Sequence, residues 1–130
     1  MICEITIEEL LSDYDWAEVF GEGSGGNTTP EIESLDGTSD KPVLRTDVAH
    51  IIAAVNGCND EADWVGVFLL KDGRYLAAQG GCDYTGWDCQ AYNRLTVAST
   101  LDGVIKFGLA PAEAKRLGLD HPGLHPREER

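Results

Sequence analysis

The tetrapeptide Lys-Asp-Gly-Arg at positions 71–74 constrains the fold more than any other local feature of this sequence. It separates two apolar runs, at residues 64–70 and 75–79. Asp-Gly between two such runs predicts a tight two-residue turn, because both central positions of that turn favour a positive φ. The two runs are therefore predicted to be adjacent antiparallel strands. The first run is so continuously apolar that neither of its faces is expected to be wet.

A helix is predicted over residues 6–20. Thr6 and Glu9 have the spacing of a capping box, and Gly21 is placed to end the helix. Asp15 and Glu18 are expected to face solvent. The predicted buried stripe has apolar side chains at helical spacing: Ile7, Leu10, Leu11, Tyr14, Ala17 and Phe20.

A second helix is predicted over residues 46–56, with Thr46 as its cap and Gly57 just beyond its end. His50 falls off the apolar stripe and is expected on the surface. The stripe again has helical spacing: Val48, Ile51, Ile52 and Val55.

The rest of the chain predicts a third strand at residues 94–98 and short helices at 101–108 and 111–117. Ser99 or Thr100 would cap the first of these, and Pro111 suits the start of the second. The predicted fold class is α+β: a small antiparallel sheet of about three strands packed with two N-terminal helices and one or two short C-terminal helices, in two layers. Residues 1–119 are expected to form one domain with a flexible acidic, Gly/Ser-rich loop at about 21–44, and residues 120–130 a frayed tail.

Charge is distributed very unevenly along the 130 residues. The formal net charge is −13; up to Trp64 there are 15 acidic and 2 basic residues, and beyond it 8 of each. Direct binding of nucleic acid is not expected, because it depends on a basic patch that neutralises phosphates. Two interpretations stay open: the acidic half serves solubility, or it forms a face for a cationic partner.

The sequence predicts a cytoplasmic protein. No apolar run approaches the roughly 18 residues needed to span a bilayer, and the start of the chain meets acidic residues at once instead of a basic leader. No membrane association is therefore expected, and reduced thiols are expected for the 4 Cys.

The segment at residues 80–90 holds two Cys, two Asp, a Tyr, a Trp and three Gly. Zinc binding by Cys82 and Cys89 is one interpretation, although their spacing is wider than that of usual zinc ligand pairs. A disulfide across the loop is another, which a reducing compartment opposes. A nucleophilic Cys is a third, but the flanking acidic residues disfavour a thiolate.

The remaining interpretation is that this loop has a structural or a binding role. Asp83 and Thr85 can fix a turn by bonding their own backbone. Tyr84 and Trp87 would then either cover the sheet or anchor a partner. The candidate binding residues are Asp83, Tyr84, Thr85, Trp87, Asp88 and Gln90. No cofactor and no catalytic residue is predicted.

Common enzyme signatures are missing from the sequence, including the phosphate-binding, metalloprotease and nucleophile-elbow motifs. Gly21, Gly23 and Gly26 spell a dinucleotide-binding pattern, but they follow a predicted helix instead of a strand and include Glu22. They are interpreted as part of a flexible linker.

Three stretches carry a resemblance: residues 64–75, the Cys-Asp-Tyr-Thr-Gly-Trp-Asp-Cys-Gln-Ala run at 82–91, and Ile-Lys-Phe-Gly-Leu at 105–109, together with Tyr14, Asp15 and Trp16. The sequence resembles a family of small proteins of bacteria and their phages to which no settled activity is attached. The resemblance implies a bacterial or phage setting and transfers no catalytic residue.

The sequence favours a non-enzymatic acidic protein that binds another protein. By analogy with other small acidic proteins, it is expected to be a phage or mobile-element inhibitor of a defence system or an immunity partner of a toxin. The expected partner is a protein with a basic surface. The alternative is a small zinc- or thiol-dependent enzyme that uses Cys82 and Cys89.

Overall fold

The hairpin predicted at Asp72 and Gly73 lies within a five-stranded sheet in the computed structural model, which describes residues 2–22, 31–34, 43–58, 62–82 and 90–119. Four strands are antiparallel neighbours and a fifth joins one edge in parallel. The strands are β1 (Glu31–Ser34), β2 (Val48–Val55), β3 (Trp64–Leu70), β4 (Tyr75–Cys82) and β5 (Gln90–Ala98), in the spatial order β1-β5-β4-β3-β2. The helices are α1 (Ile7–Ser12), α2 (Tyr14–Val19), α3 (Leu101–Gly108) and α4 (Pro111–Arg116), with a 3-10 turn at Arg45–Asp47.

The hairpin between β3 and β4 is confirmed, but its turn differs from the predicted one. The Gly73 N–H donates to the Leu70 carbonyl at 3.0 Å, and the Leu70 N–H donates to the Arg74 carbonyl at 2.8 Å. Lys71 and Asp72 therefore occupy the centre of the turn, and Gly73 follows it with a φ of 92°. This is a three-residue loop in which a single left-handed residue restores the strand register.

The hairpin is also tied by a charged pair. The Asp72 carboxylate accepts from the Arg74 backbone N–H at 3.0 Å and from its guanidinium at 2.8 and 2.9 Å. The hydrogen bonds from Arg74 hold the pKa of the Asp72 carboxyl below its ordinary value.

Helices cover both faces of the sheet, so the fold is α+β with three layers instead of the two predicted. The β3 side chains alternate between the faces: Trp64 and Phe68 join one core cluster, and Val65 and Val67 join the other. This confirms that β3 has no wet face. The α1–α2 side is packed by Ile5, Leu10, Trp16, Val19, Phe20, Phe68, Leu76, Leu95 and Val97, among others. The α3–α4 side is packed by Val65, Val67, Ala77, Val104, Ile105, Leu109, Ala114 and Leu117, among others.

The prediction of a helix over residues 46–56 is wrong, because residues 46–47 lie in the 3-10 turn and residues 48–55 form the strand β2. Its register against β3 shifts twice, between Val48 and His50 and between Ile51 and Ala53. Each shift moves the apolar side chains off strict alternation, so that their spacing imitates that of a helix. His50 is exposed, as predicted, but from a strand.

The helix predicted over residues 6–20 is two helices. The capping box is confirmed: the Thr6 hydroxyl accepts from the Glu9 N–H, and the Glu9 carboxylate accepts from the Thr6 N–H. The chain then breaks at Asp13, whose extended backbone ends α1 and whose carboxylate accepts from the Trp16 N–H at 3.0 Å to begin α2.

This break changes which side chains are buried. Trp16 is fully buried, whereas Leu11 and Tyr14, expected in the core, are exposed. Glu18, expected to face solvent, is buried. Gly21 has a φ of 79° after the end of α2, in agreement with its predicted stop role.

The predicted loop at 21–44 contains the strand β1, which pairs in parallel with β5 from Glu31 opposite Arg94 to Ser34 opposite Val97. The third predicted strand, 94–98, begins earlier, at Gln90, and the strand predicted at 75–79 extends to Cys82. A register shift between Gly81 and Cys82 marks a bulge in the pairing of β4 with β5. The tail at 120–130 and most of the Gly-rich segment, including Gly23 and Gly26, lie outside the described residues.

Both C-terminal helices are confirmed. Thr100 caps α3 by accepting from the Gly103 N–H at 3.0 Å, and Pro111 opens α4. Gly108 lets α3 lie close to the sheet, since a Cβ there would stand 3.1 Å from side-chain atoms of Ala77 and Thr96. Within the described ranges, none of the helices is long and apolar enough to cross a membrane.

We expect Gly73→Val to lower the free energy of unfolding by at least about 1–2 kcal/mol, the cost of holding an L-residue in the left-handed region. No atom lies within 4 Å of a Cβ at this position, so the loss would be backbone strain and not a clash. Urea denaturation measures it. Gly73→Asn is the control and should lose less, because Asn tolerates this conformation; equal losses would contradict the turn geometry.

We expect Thr96→Val to raise the free energy of unfolding by about 1 kcal/mol, since a buried hydroxyl without a partner is costly. Thr96 is fully buried, and its hydroxyl has no hydrogen-bond partner within the described part of the chain. Thermal and urea unfolding measure the change. Thr96→Ser, which keeps the hydroxyl and removes a methyl group, should instead lose about 1 kcal/mol. A loss in the Val variant would show that the hydroxyl is satisfied.

Candidate functional site

The loop that the sequence singled out is described only at its base. Cys82 ends β4 and pairs with Gln90, the first residue of β5. The other candidates, Asp83, Tyr84, Thr85, Trp87 and Asp88, lie outside the described residues, as does Cys89. The structure therefore fixes where the loop leaves and re-enters the sheet, and the roles of its residues stay predictions.

The described thiols and carboxylates form no metal centre. Cys3 and Cys58 are exposed and free of a disulfide. Among the described residues there is no group of three or more His, Cys, Asp or Glu side chains that could hold a metal ion. The zinc alternative thus gains no support from this part of the chain.

The strongest charge feature of the described structure is the layer formed by α1 and α2. Residues 2–22 contain seven acidic residues and no basic one. Glu8 and Glu9 lie in the first turn of α1, and Asp15 in the first turn of α2, where negative charge is favoured by the helix dipole. The helix dipoles therefore offset part of the repulsion among these carboxylates.

The opposite helical layer has a different balance. Residues 101–119 contain two acidic and three basic residues. Lys106 pairs with Asp102 at 2.9 Å along α3, and Arg116 donates to the Asp63 carbonyl at 2.8 Å. The two faces of the sheet therefore carry helices of opposite net charge.

Arg45 is the cation that joins the acidic layer to the sheet. Its Nη1 donates to the carbonyl oxygens of Leu10 and Leu11 at 3.1 and 3.0 Å, at the end of α1. A longer contact of 3.4 Å reaches the Asp13 carbonyl at the break between the helices. One guanidinium thus satisfies carbonyls that a helix end leaves without intrahelical partners.

The Glu22 carboxylate also binds Arg45. It accepts from the Arg45 Nε at 3.1 Å and from the Arg45 backbone N–H at 2.7 Å. The cluster formed by Arg45, Glu22 and the carbonyls of Leu10 and Leu11 is here called the Arg45 node. Glu22 follows α2, and Arg45 begins the 3-10 turn before β2. The pair therefore holds the ends of both acidic helices against the entry to the sheet.

Three exposed apolar side chains lie on the segments that Arg45 joins. Leu11 lies in the last turn of α1, Tyr14 begins α2 and Leu44 precedes Arg45; their exposed fractions are 42%, 51% and 47%. Single exposed apolar residues are common, whereas apolar residues grouped on one face mark an interaction surface.

Negative charge on this layer is partly unfavourable in the isolated protein. Burial, and then the neighbouring negative charge of Asp13, raise the pKa of the Asp15 carboxyl above its usual range. A positive group brought near Asp15 would reduce this penalty.

Sequence reasoning located the excess charge but missed the apolar group within it. The helical spacing predicts a buried position for Leu11 and Tyr14 only if residues 6–20 form one continuous helix. The signal that could have found the break is Ser12-Asp13 within the helical pattern, since Asp at a cap position competes with helix continuation. No local sequence pattern indicates the contact between Arg45 and the end of α1, because the two lie more than 30 residues apart in the sequence.

No family model, no curated protein and no solved structure matches the chain. The resemblance to small bacterial and phage proteins stays a prediction.

We expect Arg45→Lys to lower the free energy of unfolding by about 1.5–3 kcal/mol, as the loss of charged, partly buried hydrogen bonds does. A single ammonium cannot reproduce the fork that engages Glu22 and two carbonyls at once. Urea denaturation at neutral pH measures the change.

Arg74→Lys is the matched control, because Arg74 engages the exposed Asp72 in the hairpin. It should cost less than about 1 kcal/mol, the usual value of a surface ion pair. Equal losses in the two variants would show that Arg45 is not a structural node.

Proposed function

We propose that the protein is a non-enzymatic, acidic accessory protein that acts by binding a protein partner with a basic surface. The observation that carries the proposal is the segregation of charge between the two helical layers. A surface that serves solubility alone works best when positive and negative charges are interspersed over it. Concentrated on α1 and α2, negative charge creates a field on one side of the sheet that attracts and orients a cationic partner.

The proposed setting is the bacterial cytoplasm, in a host or phage context, in keeping with the resemblance carried by residues 64–75, 82–91 and 105–109. By class-level analogy, small acidic proteins in that setting include inhibitors of defence systems and immunity partners of toxins. Nucleic acid is not the proposed ligand, because the acidic layer would repel its phosphates. The Asp83-to-Gln90 loop is the candidate for a second contact with the partner.

The test uses the full chain, immobilised to capture a partner from a lysate of a bacterium that carries the sequence; the partner is then purified and titrated by calorimetry. We expect a stoichiometric complex whose affinity falls at least about tenfold when salt is raised from low to high, because exposed charges are screened over roughly 8 Å at physiological ionic strength. An affinity independent of salt would remove the acidic layer from the interface.

Glu8→Gln and Glu113→Gln make a matched pair for the same titration. Each removes one carboxylate from the first turn of a six-residue helix, on the acidic and on the opposite layer respectively. We expect Glu8→Gln to weaken binding by about two- to fivefold, the usual size for a peripheral charge, and Glu113→Gln to leave it nearly unchanged. Equal effects would indicate a general response to net charge.

Metal analysis of the purified chain separates this proposal from the enzymatic alternative. One equivalent of tightly bound zinc, lost in a Cys82→Ser, Cys89→Ser variant, would favour a metal-dependent enzyme that uses the loop.

A further inference from the structure

Leu11, Tyr14 and Leu44 are exposed apolar residues on the segments that Arg45 joins, and together they are here called the Tyr14 surface. Their backbones are held together by the Arg45 node: Nη1 bonds the Leu11 and Asp13 carbonyls, and Leu44 directly precedes Arg45. Leu11 and Tyr14 lie on helices, and Leu44 immediately precedes the 3-10 turn. Tyr is among the residues most often found at the energetic centre of protein interfaces.

Arg45 does not make this surface cationic. Its guanidinium is mostly buried, with 16% of its side chain exposed, and it faces the Glu22 carboxylate and the negative end of α1. Its charge is thus compensated within the protein. A positively charged ligand can approach the Tyr14 surface without meeting an unpaired cation at its centre.

Carboxylates lie on the same segments as the three apolar side chains. Glu8 is exposed and lies three residues before Leu11, on the same side of α1. Asp15 adjoins Tyr14 in sequence. Asp47 is exposed and its carboxylate accepts from the Leu44 N–H at 2.9 Å, which places it beside that residue. The segments that carry the Tyr14 surface therefore also carry carboxylates, of which those of Glu8 and Asp47 are exposed.

We infer that the Tyr14 surface is the docking site for a basic amphipathic segment of the protein partner. The apolar side chains of that segment cover the Tyr14 surface, and its Lys and Arg residues face Glu8, Asp15 and Asp47. The inference rests on the proposed function and assigns it to one surface. Charge complementarity selects this occupant: an anionic membrane would be repelled, and a second copy of the chain would bring the same carboxylates. An amphipathic segment supplies both the apolar and the cationic contacts.

The experiment titrates two synthetic peptides against the full chain and follows the backbone amide signals by NMR. One peptide is an amphipathic sequence of Lys and Leu; the second has the same length and Lys positions, with Ser in place of Leu. We expect the first to bind at least about tenfold more tightly than the second, with the largest shifts at residues 8–15 and 43–47. Equal affinity of the two peptides would reduce the interaction to charge alone and overturn the inference.

Tyr14→Ser and Phe107→Ser form the matched pair of variants. The two rings are exposed to nearly the same extent, 51% and 49%, but Phe107 lies on α3, on the opposite layer. We expect Tyr14→Ser, and independently Leu44→Ser, to weaken the Lys/Leu peptide about tenfold, and Phe107→Ser to change it less than about twofold. Equal losses at Tyr14 and Phe107, or shifts centred elsewhere, would overturn the assignment.

The same variants distinguish the failure of this inference from the failure of the proposed function. A captured partner whose salt-dependent binding is insensitive to Tyr14→Ser and Leu44→Ser would leave the function standing and move the contact away from the Tyr14 surface. A chain that captures no stoichiometric partner, yet binds the Lys/Leu peptide at this surface, would reject the proposed function while retaining the surface chemistry.

Discussion

The burial of β3 on both faces is the constraint on which the rest of the structure depends. A strand with Trp64 and Phe68 on one side and Val65 and Val67 on the other needs a cover on each face. The α1–α2 layer packs on the sheet through Trp16, whose ring contacts that of Phe68 edge to face with the ring centroids 5.8 Å apart. Gly66 makes room for both rings, since a Cβ there would stand 2.6 Å from the Phe68 ring and 3.2 Å from Trp16.

Covering the sheet with such short helices requires contacts from outside the helices. Neither α1 nor α2 exceeds six residues, so neither would be stable alone. Asn93 of β5 donates to the carbonyls of Glu18 and Val19 at the end of α2, at 3.2 and 3.3 Å. Together with the Arg45 node, this contact replaces the intrahelical bonds that short helices lack. The acidic layer is therefore held by contacts with β5 and with the 3-10 turn before β2, and its outer face is left available for charge.

The features that could be predicted from the sequence are those with local causes. The hairpin at Gly73, the capping box at Thr6, the Thr100 cap and the opening of α4 at Pro111 each depend on residues within one turn. The sequence of β2 resembles that of a helix because two register shifts disturb its alternation, although its β-branched residues favour a strand. The strand β1 could not be predicted, because its pairing with β5 joins segments far apart in sequence and its own composition is polar. The acidic character of the candidate surface followed from counting charges, whereas its apolar part depends on the break at Asp13 and on Arg45.

The break at Asp13 links the core to the surface. In one continuous helix, the spacing would direct Leu10, Leu11 and Tyr14 to the same side, and Trp16 elsewhere. By ending α1 and capping α2, Asp13 resets the helical phase, so that Trp16 enters the core and its indole N–H donates to Asn56 at 3.0 Å. The same change of phase directs Tyr14 outward, beside carboxylates that the helix starts favour. A single polar residue thus determines both how α2 packs on the sheet and which aromatic ring the acidic layer presents to a partner.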